Sequence, residues 1–192
     1  ASESGGSTET EKALKDNKAE TSDGTVTIAG AVAVSTLSGN TRAYIDSDRD
    51  ILTTCLLSLS SFNNSDASVK ADGGTVGSAA VGVGAGVAIN IAAINNEAYL
   101  GGSGEIRAAG ITINSLMAEK SGETTLANTI SSEAISGANG GTVGIAGSLA
   151  LGILDGKSRA EIESNAKAVL TGGGDVSLVA ENNTVNNVDA KP

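Results

Sequence analysis

The sequence predicts an all-β chain wound as a parallel β-solenoid, and three observations carry that expectation. The first is an internal repeat. Thr25-Val26-Thr27-Ile28-Ala29-Gly30-Ala31-Val32-Ala33-Val34 is echoed by Thr142-Val143-Gly144-Ile145-Ala146-Gly147-Ser148-Leu149-Ala150-Leu151, and Thr41-Arg42-Ala43-Tyr44-Ile45 by Ser158-Arg159-Ala160-Glu161-Ile162, at a constant offset of 117. A middle copy runs from Gly74-Thr75-Val76 to Asn96-Glu97-Ala98-Tyr99-Leu100 and reads as about five residues longer. The second is strand-period alternation inside each copy. The third is composition: 40% hydrophobic but 2% aromatic residues, no Trp, 26 Gly and one Pro, which suits a narrow interior of small aliphatic layers and many tight corners. Repeats of this size in such a chain mean units stacked along an axis.

Taken in order, residues 1–23 are polar and mixed in charge, with only Ala13, Leu14 and Ala19 suited to a core. They read as a leader or a partial preceding repeat, although Thr8 and Glu11 have capping-box spacing for a short helix. From Gly24 the alternation places Val26, Ile28, Val32 and Val34 on one face and Thr27, Ala29, Ala31 and Ala33 on the other. The third copy sorts Val143, Ile145, Leu149, Leu151 and Ile153 from Gly144, Ala146, Ser148, Ala150 and Gly152 in the same way. The large residues are expected to form the inner column, so that Leu149→Asp would unfold the stack, and the Gly/Ala/Ser face admits a second segment at close range.

Polar corners (Ser38-Gly39-Asn40, Asn95-Asn96, Asp155-Gly156-Lys157) turn each copy into a second short strand around Ala43, Ala98 or Ala160. Further short runs follow, such as Ile51–Thr53 and Leu56–Leu59 in the first copy, or Lys167–Thr171 and Val176–Ala180 in the third. Two polar stretches, Asn63–Asp72 and Ala118–Gly140, separate the units. The second reads as an excursion or extra rung, with Leu126, Ile130 and Ala134 spaced for a helix face. The expected units are 24–73, 74–140 and 141–190, three repeats opening 50 and 67 residues apart. Because the close at Ser177–Asn183 parallels Ser58–Asn64 and another Gly-Thr-Val would then be due, the chain reads as a segment excised from a longer one.

Charge and residue inventory exclude whole classes of chemistry. A net charge of −10 argues against nucleic acid and against anionic membrane surfaces, both of which need clustered Lys and Arg. With no His and only Cys55, the chain cannot supply a His-based zinc site, a Ser-His-Asp triad, a Cys-His dyad or an internal disulfide.

Asp46-Ser47-Asp48-Arg49-Asp50 opens like a Ca2+ loop, with Asp46, Asp48 and Asp50 as candidate ligands. The pattern then departs, with Ile51 where Gly makes the turn and Leu57 where Glu closes the shell. Two readings stand, a solvated acidic corner and a weak extracellular Ca2+ site; no other cofactor is expected. Gly101-Gly102-Ser103-Gly104 lacks the Asp and the tandem array of a Ca2+-binding nonapeptide. Gly156-Lys157-Ser158 lacks the Gly of a phosphate loop, Leu151 standing in its place. Ala79–Ala93 is apolar but shorter than the roughly 20 residues of a spanning helix, so a buried strand is expected rather than membrane insertion. Arg42 with Asp46 and Asp48, and Arg159 with Glu161, suggest ion pairs between rungs; two Tyr and one Phe make a poor sugar-stacking groove.

The opening Gly141-Thr142-Val143-Gly144, the strand Gly147–Leu151, the corner Arg159-Ala160-Glu161-Ile162 and the close Gly173-Gly174-Asp175-Val176-Ser177-Leu178-Val179-Ala180 together resemble the repeat region of giant bacterial surface and secreted proteins. These are the filamentous-haemagglutinin-like adhesins and the leukotoxin-type and autotransporter-type passengers. The resemblance covers most of residues 24–190. It implies a right-handed parallel β-helix, export and an extracellular or cell-surface location, and it transfers no catalytic residue. The expected role is a non-catalytic structural or adhesive shaft segment. Its partners would be flanking repeats of the same chain and, through the parent protein, a host-cell, matrix or neighbouring-cell surface. A passenger segment of a secreted cytolysin and a polysaccharide-active β-helix enzyme are the alternatives.

Overall fold

The computed structural model describes residues 25–76, 79–120 and 126–192. The leader expected over residues 1–23 lies outside them. The described residues form three stacked coils of four strands each, without a helix. Coil 1 contains β1 (Val26–Asp46), β2 (Ile51–Leu52), β3 (Leu56–Asn63) and β4 (Ala67–Gly74). Coil 2 contains β5 (Ala79–Gly101), β6 (Glu105–Ala108), β7 (Gly110–Met117) and β8 (Asn128–Gly137), and coil 3 contains β9 (Gly140–Ile162), β10 (Lys167–Leu170), β11 (Val176–Ala180) and β12 (Thr184–Lys191). Like strands pair in parallel along the axis to give four three-stranded sheets, β1-β5-β9, β2-β6-β10, β3-β7-β11 and β4-β8-β12. The chain is an all-β, parallel β-solenoid.

Register explains the repeat. In the long sheet Val26 faces Val81 and Val81 faces Val143, so coil 1 leads coil 2 by 55 residues and coil 2 leads coil 3 by 62, which restores the offset of 117. The middle copy was expected to align at Val76. Its strand instead starts at Ala79 without an internal insertion, and Thr75-Val76 belong to the link before it. The stretches Asn63–Asp72 and Ala118–Gly140 are not simple spacers either: each carries a regular fourth strand, β4 or β8. The extra length of coil 2 sits between them and the preceding sheet, where the offset rises from 54 (Asn63 to Met117) to 63 (Ala67 to Ile130). A spacing of four suits a strand face as well as a helix face, and Ile130 and Ala134 both point inward from β8.

The interior is thick at one end and thin at the other. Around the corner of the long sheet, Ala98, Leu100, Ile106, Ala108, Ile111 and Ile113 pack as a closed aliphatic cluster, flanked by Ile45 and Ile51 from coil 1 and Ile162 and Ala168 from coil 3. Coil 2 is the most buried because it is covered on both sides, as nearest-neighbour stacking requires. Toward the start of the long sheet, β5 runs against β8 and β4 at backbone distance. A Cβ on Gly84 would collide with the carbonyls of Gly137 and Gly73, and one on Gly86 with the carbonyl of Ile135.

That thinness overturns the expected orientation of the long strands. Gly82, Gly84, Gly86 and Ala88 face inward, whereas the large aliphatic face points to solvent: Val32 is 74% exposed and Leu149 56%. There is no volume between the sheets for Val or Leu, so the small face must be the inner one. Leu149 is therefore not part of an inner column.

Candidate functional site

Three surfaces could carry function: the acidic corner, an ion-pair and tyrosine ladder, and the outward face of the long sheet.

At the acidic corner the chain leaves β1 and turns into β2, so Asp46, Asp48 and Asp50 are exposed. Asp48 Oδ1 accepts from the Ser103 hydroxyl at 2.8 Å and the Ser103 backbone N–H at 3.3 Å, and the bonds with Ser103 hold the Asp48 carboxyl below the usual carboxylate range. Asp50 Oδ1 accepts from the backbone N–H of Glu105 at 2.8 Å. Both bonds step 55 residues, so these carboxylates cap backbone and hydroxyl donors of the next coil. Asp46 Oδ1 and Glu163 Oε2 approach the Cα side of Gly101 from coils 1 and 3. Among the described residues no group of three or more His, Cys, Asp or Glu side chains is arranged to hold a metal ion.

The neighbouring glycines serve the stack. Gly102 has φ +85°, and a Cβ there would meet the Ser47 backbone; Gly104 is pressed in the same way against Arg49. Gly156-Lys157-Ser158 lies inside β9, with Ser158 Oγ donating to the Ser115 carbonyl at 3.1 Å. It is extended strand and forms no loop. Ala79–Ala93 lies in β5 with its small face buried, and no helix of the described residues is long and apolar enough to cross a membrane.

The ladder lies on the outer side of the long sheet near its end. Register stacks Arg42, Glu97 and Arg159, and Glu97 receives Arg42 Nε at 3.0 Å and Arg159 Nε at 3.7 Å. One position pair further along, Tyr44 and Tyr99 stack with ring centroids 5.2 Å apart and planes 9° from parallel. The Arg159 guanidinium sits 5.2 Å from the Tyr99 centroid and also pairs with Glu161. Two further carboxylates play the Glu97 part. Glu105 is paired with Lys167 and Arg107, and Glu133 with Lys191 and Lys70; these cations hold both carboxyls below the usual range. In all three cases coil 2 supplies the acid; Glu97 and Glu133 take cations from both outer coils, whereas Glu105 takes Lys167 from coil 3 and Arg107 from its own strand. Arg42, expected beside Asp46 and Asp48, pairs instead with Glu97 of the next coil, and Arg159 pairs with Glu161, as expected, and also with Glu97.

The outward face of the long sheet is the feature that sequence reasoning placed on the wrong side. Six rows run across the three strands, from Val26/Val81/Val143 to Thr36/Ile91/Ile153. None of these positions is charged; the first charged groups beyond them are Asp155 and Lys157. The signal that could have found the face was volume: an inner column reading Gly-Gly-Gly-Ala in β5 fits only a gap too narrow for the alternate set. Contiguous aliphatic surface of this kind is uncommon on a free protein and marks a contact site.

No protein-family model matches the chain, and no curated protein and no solved structure does either.

Proposed function

We propose that the chain is a non-catalytic, rigid shaft segment of a larger bacterial surface or secreted protein, with flanking coils of the same chain as its immediate neighbours. One observation carries the reading. Among the described residues coils 1 and 3 flank the middle coil in parallel register, and each presents a full set of strand edges on its outer side. Such edges are templates for another parallel coil and are a liability when left bare. The cations displayed there, Arg42 and Lys70 on one side and Arg159 and Lys167 on the other, match the acid that coil 2 offers at the same columns. The adhesive role, the export and the bacterial cell-surface location follow from the resemblance of the repeat motifs.

An antibody to this segment, used to blot fractionated producing cells with and without external protease, tests the reading. The expected result is a band far above the 18.7 kDa of this chain that protease removes from intact cells. A protease-resistant cytoplasmic band at the size of the chain would overturn it.

A further inference from the structure

We propose that the outward aliphatic face of the long sheet is a self-docking surface on which a second copy of this chain packs sheet against sheet. The inference goes beyond the shaft reading and stands on separate observations. Its starting point is that no described residue covers the face and that the remaining residues of the sequence are poor in apolar side chains. The residues outside the described set (1–24, 77–78 and 121–125) contain one large aliphatic side chain, Leu14. These 192 residues therefore hold no segment suited to cover it, and a second copy of the same face is the occupant that its area, charge and relief favour.

The face has the size, charge and relief for a copy of itself. Three strands at about 4.8 Å spacing and eleven residues at about 3.3 Å rise present roughly 500 Å² per copy. Two such faces together bury about 1,000 Å², the lower bound of a specific interface. Although the chain carries a net charge of −10, no charged group lies in the six rows, so two faces meet without like charges in contact. Relief is supplied by the third row, Gly30/Ala85/Gly147, which forms a channel along the axis between the ridges Ile28/Val83/Ile145 and Val32/Val87/Leu149. A Cβ on Gly147 would meet no atom within 4 Å, so the channel is open. A face that carries both ridge and channel can interdigitate with its own copy, as the inner faces of β-sandwiches do, and the same patch on both partners gives a closed two-fold pair.

Sedimentation velocity on the full chain, from submicromolar to high micromolar concentration, tests this. The expected result is a concentration-dependent dimer. The double variant Val32→Lys/Leu149→Lys is expected to weaken it about tenfold or more, since it places charges in a desolvated contact, while leaving the monomer's thermal midpoint in place because both positions are solvent-facing. The pair Val34→Thr/Leu151→Thr keeps β-branched or β-compatible side chains and is expected to weaken the dimer by a smaller factor with the circular dichroism unchanged. A wild-type chain that stays monomeric throughout overturns the proposal. So does a dimer that survives both double variants, which would assign association to the open strand edges. Flotation of the wild type with phosphatidylcholine vesicles, abolished by the lysine pair, would assign the face to lipid and likewise overturn it.

Discussion

At Gly84 and Gly86 the long strand passes so close to β8 that a methyl group has no room, and this fact decides by alternation which side chains of the strand face inward. Period-two patterning in the sequence identified the strand correctly but was silent on which face is inside. Hydrophobicity pointed to the Val/Ile/Leu set; the volume between sheets selects the Gly/Ala set. Buried polar residues were equally hard to read. Asn96 is an interior residue whose amide donates to the Leu116 carbonyl at 2.9 Å and the Ser61 carbonyl at 3.4 Å, and whose carbonyl accepts from the Ser61 hydroxyl. In the sequence it looks like an ordinary corner asparagine. Asn96→Ala would strand those groups without partners, and urea denaturation is expected to show a loss of about 1–3 kcal/mol.

Elements were legible to different degrees. Long strands rich in β-branched residues declared themselves, whereas β4 and β8 read as polar linkers because their inner positions are filled by Ala, Ser and Gly as well as Val and Ile. Which acid meets which base between coils was invisible without register, since those partners lie more than 50 residues apart; only near neighbours such as Arg159 and Glu161 could be read directly. Those ladders give the stack a pH dependence. Glu105 and Glu133 have folded carboxyls held below their ordinary value of about 4.3, so the unfolded chain binds protons first on acidification. Their contribution is fully present above the ordinary value and is lost as pH falls through the lower, folded one. The thermal midpoint is expected to be flat near neutrality and to fall below the ordinary carboxylate range. Glu133→Gln should lower the midpoint slightly at pH 7 and flatten the acid limb, because these pairs are solvent-exposed and individually small.

For the whole molecule, the offset of 117 is the sum of the steps from coil 1 to coil 2 and from coil 2 to coil 3, and the phase of the middle coil was misjudged because Thr75-Val76, which mimic the repeat opening, belong to the link before β5. The acidic corner was legible as exposed carboxylates; their use as caps between coils was not, since the donors Ser103 and Glu105 arrive from the next coil. What organises the solenoid is its flattened end: small residues inside and a broad aliphatic sheet outside. The measurement that tests this most directly is thermal and urea unfolding of Gly84→Val beside Leu149→Asp, at dilution where association is absent. Gly84→Val is expected to cost about 3 kcal/mol or more, as overpacking against fixed backbone does, and Leu149→Asp about 1 kcal/mol or less, the strand-propensity cost at a solvent-facing site. An unfolded Leu149→Asp with an intact Gly84→Val would contradict the account.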